Sequence, residues 1–133
     1  LPSTTPTVPV RAPEPLTGLR VVAKASALDA VAAPHGGAVL RIAPDDAIVT
    51  GTAVLSIDDP FAIIEPEYAF VQWRLSPAEF DGIKRHIEWP LPAMGELGQG
   101  LIAAVAAKIV IEPDDVLLIV SASLADDLAE RLW

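Results

Sequence analysis

Short apolar runs alternate with clusters of Pro, Asp and Gly along most of this chain, from Gly18 onward. Leu19-Arg20-Val21-Val22-Ala23-Lys24 predicts a strand. Ser26-Ala27-Leu28-Asp29 reads as an N-cap with an acid at the third helical position, opening a short helix that runs to about Ala33 and ends at Pro34-His35-Gly36-Gly37. Ala38 to Ile42 is β-like, and a second apolar run follows from Ala47 to Leu55. Between them stands Pro44-Asp45-Asp46. Proline presets φ and aspartate bonds back to the local backbone, so the segment predicts a hairpin. The same arrangement recurs about Pro113-Asp114-Asp115, between Lys108 and Val120. A third hairpin is expected about Pro66, between Phe61 and Trp73, with loose alternation from Tyr68 to Leu75 that suits a half-buried strand.

Helix signals are strongest in the second half. Ser76-Pro77-Ala78-Glu79 is a capping box with Pro at the first helical position, and Phe80, Ile83 and Ile87 follow on one face, ahead of Pro90. A C-terminal helix starts near Ser121 or Ser123. Asp126 and Asp127 lie towards its N-terminal end and Arg131 in its last turn, as the helix dipole prefers, and its apolar stripe is Leu124, Leu128 and Leu132. These one-sided helices must cover a sheet. The expectation is an α+β fold: a mostly antiparallel curved sheet of about six or seven strands built from hairpins, with two or three helices on one face. Residues 1–17 hold five of the thirteen prolines and read as an extended or disordered arm, leaving 18–133 as a single domain.

Composition narrows the function. With 133 residues, one domain is expected. The absence of cysteine excludes disulfide frameworks, thiolate metal sites and cysteine nucleophiles. Eighteen acidic against nine basic side chains give a net charge of −9, which argues against nucleic acid as a partner. Yet 52% of residues are apolar and mean hydropathy is +0.44. The longest uncharged runs in the body of the chain, Ala47–Ile57 and Leu97–Ala107, reach eleven residues each, short of the ~18–20 that a spanning helix needs. The first basic residue is Arg11, and no apolar stretch of a secretory leader follows it. A cytoplasmic protein that hides apolar surface against a partner is therefore expected.

Candidate chemistry is sparse. Four Asp pairs, at 45–46, 58–59, 114–115 and 126–127, fall at turns or a helix start, where Asp is favoured for structural reasons, and no calcium-loop spacing accompanies them. His35 precedes two glycines, and His86 ends a helix near Glu88, without a nucleophile elbow. Gly95-Glu96-Leu97-Gly98-Gln99-Gly100 lacks the order of a phosphate loop and reads as a flexible connector. No catalytic, cofactor-binding or metal-ligating residue is assigned to this chain. The remaining candidates are Trp89, Pro90, Leu91 and Pro92 in a loop and Trp133 at the end of the chain, residues of the kind that anchor interfaces.

Several stretches together carry a family resemblance. They are Asp58-Asp59-Pro60-Phe61-Ala62-Ile63-Ile64-Glu65-Pro66-Glu67, Phe70-Val71 leading to the Ser76 helix, His86-Ile87-Glu88-Trp89-Pro90-Leu91-Pro92, and Gly98-Gln99-Gly100-Leu101 opening a long strand. Their order resembles the gamma-type small subunit of heterotetrameric sarcosine oxidase, over a little more than half of the chain. That resemblance implies a fold related to the N-terminal region of the glycine-cleavage T-protein. It also implies a non-catalytic accessory subunit that packs against large flavoprotein subunits holding FAD, FMN and NAD. The chain is short for that family and has the proline-rich arm in place of its early region. Two other readings stand beside it: a folate-like small-ligand module or self-associating domain, and an enzyme using His86 with Glu88 or an Asp pair.

Overall fold

The computed structural model describes residues 11–133, and they form an α+β fold. In chain order the elements are β1 (Glu14–Pro15), β2 (Gly18–Val22), α1 (Ala25–Asp29), β3 (Val39–Ala43), β4 (Asp46–Thr50), β5 (Ile63–Glu67), β6 (Phe70–Leu75), α2 (Pro77–Ile83), β7 (Leu97–Ile102), β8 (Val105–Ile111), β9 (Val116–Ser121) and α3 (Ala125–Leu132). Short 3₁₀ turns extend α2 and precede α3. Every pairing is antiparallel, as the hairpin pattern predicts. The nine strands are divided between two sheets, ordered β1-β6-β9-β8-β7 and β3-β4-β2-β5, where the sequence pattern had suggested one sheet of six or seven.

The division arises at Pro66. The expected hairpin about this residue does not form: Pro66 lies inside β5, and the chain turns instead at Tyr68-Ala69, where Glu67 Oε1 accepts from the Ala69 amide at 2.9 Å. β5 pairs only with β2 and β6 joins the other sheet, so the turn is a crossing between sheets. A proline without an N–H is tolerated on an edge strand, and β5 is the outer strand of its sheet.

Period-two alternation gives each sheet two apolar faces. Trp73 and Leu75 of β6, Ile109 of β8 and Leu118 of β9 meet Phe80 and Ile83 of α2 and Leu128 of α3. Val110, Leu117 and Ile119 point the other way and pack with Leu40, Ile48 and Leu16 between the sheets. The far side of the smaller sheet, carrying Leu19, Val21, Ala47 and Val49, is covered by Ala27 and Leu28 of α1 and by Leu55, Ile57 and Ala62 of a long loop. Thus α2 and α3 share one face and α1 lies on another. Leu16 is buried and β1 pairs with β6, so the described part of the proline-rich segment is docked on the domain. Residues 1–10 of the expected arm lie outside the described residues.

Local signals explain most boundaries. Ser76 accepts from the Glu79 amide while Glu79 accepts from the Ser76 amide, so the capping box forms with Pro77 at the first helical position. At α1 the expected Ser26 cap is not used. Lys24 occupies the N-cap, and Asp59 reaches from the long loop to accept its amide at 2.8 Å. The run from Ala47 stops at Thr50 because Gly51, at φ 84°, turns the chain away. The strand expected from Gly98 onward breaks into the hairpin β7–β8 at Ala103 (φ 48°) and Ala104 (φ 67°). Two alanines in left-handed conformation are an uncommon hairpin turn, which is why no Asn-Gly or Asp-Gly signal announced it.

One ion-pair cluster ties three strands of the smaller sheet together. Arg20 of β2 donates to both oxygens of Asp46 on β4, at 2.6 and 2.7 Å, and to Glu67 on β5 at 3.2 Å. Hydrogen bonds from Arg20 hold the Asp46 carboxyl below its ordinary range, and the same bonds raise the guanidinium. A carboxylate with a lowered folded pKa contributes stability above its unfolded pKa of about 3.9, and that contribution is lost as pH falls through the folded value. Arg20→Met is therefore expected to cost most at neutral pH and less as pH falls through the carboxylate range, where the wild type loses the same contribution. It also leaves Glu67 buried beside no cation, costing on the order of 2 kcal/mol. Urea unfolding followed at neutral and acidic pH checks both effects.

Candidate functional site

Trp89 is built into the fold by the glycines of β7. Its Nε1 donates to the Leu101 carbonyl at 2.8 Å, and its ring lies over Gly98 and Gly100. A Cβ at Gly100 would stand 2.4 Å from Trp89 Nε1, and one at Gly98 would stand 2.8 Å from Pro92 Cδ. The segment expected to be a flexible connector is therefore a strand in which Gly98 and Gly100 form a flat shelf for Trp89 and Pro92. Gly100→Ala is expected to push Trp89 off this shelf, lower stability by about 1–3 kcal/mol and shift Trp emission towards that of exposed indole. Unfolding curves followed by fluorescence test this.

The other candidates are placed as follows. Pro90 and Leu91 are exposed beside the shelf and Pro92 is half-buried. Trp133, 44% exposed, tilts against the buried Trp73 with ring centroids 5.3 Å apart. Thus Trp89 and Trp133 both spend one side on this chain's own core and keep the other outward.

No acid–base–nucleophile arrangement is assembled from the residues singled out by sequence. His35 is exposed in its loop. His86 accepts from Arg85 Nε at 3.2 Å and shares a hollow with Glu88, Trp89 and Ala104, without a hydrogen bond to Glu88. The Asp pairs are separated in role. Asp46 binds Arg20, Asp59 accepts from the Lys24 and Phe61 amides, Asp115 pairs with Arg74 at 2.7 Å, and Asp127 pairs with Arg131 on α3. The two backbone donors lower the Asp59 carboxyl. Among the described residues no three His, Asp or Glu side chains gather as a metal-ion site, and no helix is long and apolar enough to cross a membrane.

Sequence reasoning missed the most exposed apolar stretch. Along and beside the edge strand β5, Phe61 is 89% exposed, Ile63 56% and Tyr68 82%, with Ile64 and Val22 also open. The acidic side chains of Asp58, before β5, and Glu65, on it, are exposed. The signal was present in Phe61-Ala62-Ile63-Ile64 next to Pro66. A proline inside an apolar run demotes it to an edge, whose side chains the domain need not cover.

Comparison with known proteins returned no match: no family model, no curated protein and no solved structure resembles this chain closely enough to report.

Proposed function

We propose that this chain is a non-catalytic accessory subunit of a multisubunit, flavin-dependent amine oxidase or demethylase. In this reading it packs in the cytoplasm against large flavoprotein subunits that hold FAD, FMN and NAD, binding none of these itself. The observation that carries the docking role is the apolar edge at β5. Phe61 just before β5, Ile63 on it and Tyr68 just after it leave large apolar side chains in water about a strand with an unpaired side. Single exposed apolar residues are ordinary, but several about one strand edge whose backbone groups are unpaired suit a docking site. The exposed Asp58 and Glu65 and the overall charge of −9 call for a partner whose apolar pocket is flanked by Lys or Arg. The flavoenzyme assignment rests on the resemblance of 58–132 to gamma-type subunits.

Trp89 and Leu91 beside β7, and Trp133 against Trp73 of β6, are further contacts on this reading. The test is co-purification of the tagged chain from its native cells. A stoichiometric flavoprotein companion is the expected result, and a chain that sediments alone as a well-behaved monomer contradicts it.

A further inference from the structure

The face of the larger sheet that meets the smaller one runs on past their contact. There a hollow of about 270 Å³ opens, lined mostly by apolar groups and, among the described residues, by none from the smaller sheet. Strand register builds it. Leu101 of β7 stands opposite Ala106 of β8, Phe70 of β6 stands opposite Ser121 of β9, and the Ala107–Val120 pair sets Ala106 beside Ser121. In the order β6-β9-β8-β7 the two inner strands thus carry small side chains and the flanking strands large ones. Leu101, 59% exposed, and the half-buried Phe70 are the walls, and the space between them is open to water at Ala106.

Lys108 lies two residues along β8 from Ala106, on the same face, and closes the inner end of the hollow. Its register partner Ile119 is already fully buried beneath the smaller sheet. The Lys108 Nζ donates to Gln99 Oε1 at 2.9 Å and stands 5.3 Å over the Phe70 ring, and both of those residues line the hollow as well. Neither partner is an anion. Asp46, whose charge is felt at Lys108, has both oxygens bound to Arg20, and among the described residues no carboxylate forms an ion pair with this ammonium. Burial and the charge of Arg20 lower its pKa, against a smaller opposing effect of Asp46. A cation drawn partly out of water without a counterion loses hydration that an incoming anion offsets.

We infer that this hollow binds a short-chain monocarboxylate, with its carboxylate on Lys108 and its alkyl chain over Ala106 and Ser121, between Leu101 and Phe70. One ammonium matches one negative charge. Away from Lys108 and Gln99 the only side-chain polar group is the Ser121 hydroxyl, 3.1 Å from that of Ser123, so a second charged group on the ligand would find no partner. The volume lies just below the usual range for ligand pockets, which limits the chain to a few carbons. This site is independent of the docking edge and of the accessory-subunit reading.

The experiment titrates the whole isotope-labelled chain with butyrate at constant ionic strength and, separately, with butyramide and with acetate. Butyrate is expected to shift the backbone amides of Leu101, Ala106, Lys108 and Ser121 together with the Lys108 side-chain signals. Butyramide keeps the chain and the carbonyl without the charge, and is expected to bind about tenfold more weakly. Acetate keeps the charge but lacks two methylenes, and a loss of about tenfold is expected for it as well. Lys108→Met is expected to abolish the preference for butyrate over butyramide. Equal binding of butyrate and butyramide, acetate binding as tightly as butyrate, shifts confined to other surfaces, or no shifts at tens of millimolar butyrate would each overturn the proposal. The three ligands test it in the wild-type chain even if the variant fails to fold.

Discussion

Trp73→Ala is expected to destabilise the chain by about 3–5 kcal/mol, a large fraction of the 5–15 kcal/mol that usually separates folded from unfolded domains. Trp73 is 2% exposed at the centre of the layer formed by the larger sheet and the two long helices. Its removal leaves a cavity among Leu75, Leu118 and Leu128 that rigid strands on one side cannot close. Two further contacts go with it. The Trp73 indole donates to the Arg11 carbonyl at 2.8 Å, which fastens the segment preceding β1, and Trp133 rests against its ring. Arg11 itself bonds Glu79 of α2 and the Arg74 carbonyl, so the strand, the helix and the incoming chain converge here. Urea unfolding with coincident circular dichroism and fluorescence transitions measures the loss. Trp73→Phe separates the parts, because it keeps most of the burial but orphans the Arg11 carbonyl, and about 1–3 kcal/mol is expected for it. A loss below 1 kcal/mol for the alanine variant would contradict the packing described.

The second large effect concerns association rather than folding. Phe61→Glu and Ile63→Lys replace exposed side chains, so each is expected to change folding stability by no more than about 0.5 kcal/mol. Both lie at the apolar edge where the proposed partner seats. Burying a charge there, or truncating an aromatic anchor, is expected to cost 2 kcal/mol or more of binding, roughly a 30-fold weaker complex. Trp89 behaves differently in this account. Its mutation disturbs folding as well, because its indole is bonded to Leu101 and laid on the β7 glycines. Comparing thermal unfolding with affinity for the purified partner distinguishes the two surfaces.

How far the sequence foretold this structure depended on whether each signal was local. The capping box at Ser76, the Pro-Asp-Asp hairpins and the Leu124-Leu128-Leu132 stripe are satisfied within a few residues, and all appear in the fold. Misreadings occurred where a partner far along the chain decides. Pro66 resembles a turn residue until β2 is seen to pair with only one side of its strand. Gly98 and Gly100 resemble a loose linker because the ring that needs their flatness is Trp89, about ten residues earlier. Ala103 and Ala104 carry no turn signature at all, and their left-handed conformation is imposed by the register of β7 on β8.

Whether this chain works as the docked subunit proposed above is tested most sharply by comparing two chains. The tagged wild-type chain and the Phe61→Glu variant are each recovered from native cells under identical conditions, after both are shown to unfold alike. Bound protein is then analysed for stoichiometry and for flavin absorbance. A large flavoprotein is expected to be held by the wild type and lost, by an order of magnitude or more, from the variant. Recovery of the wild-type chain free of any flavoprotein, or equal recovery of the companion with both chains, would contradict it.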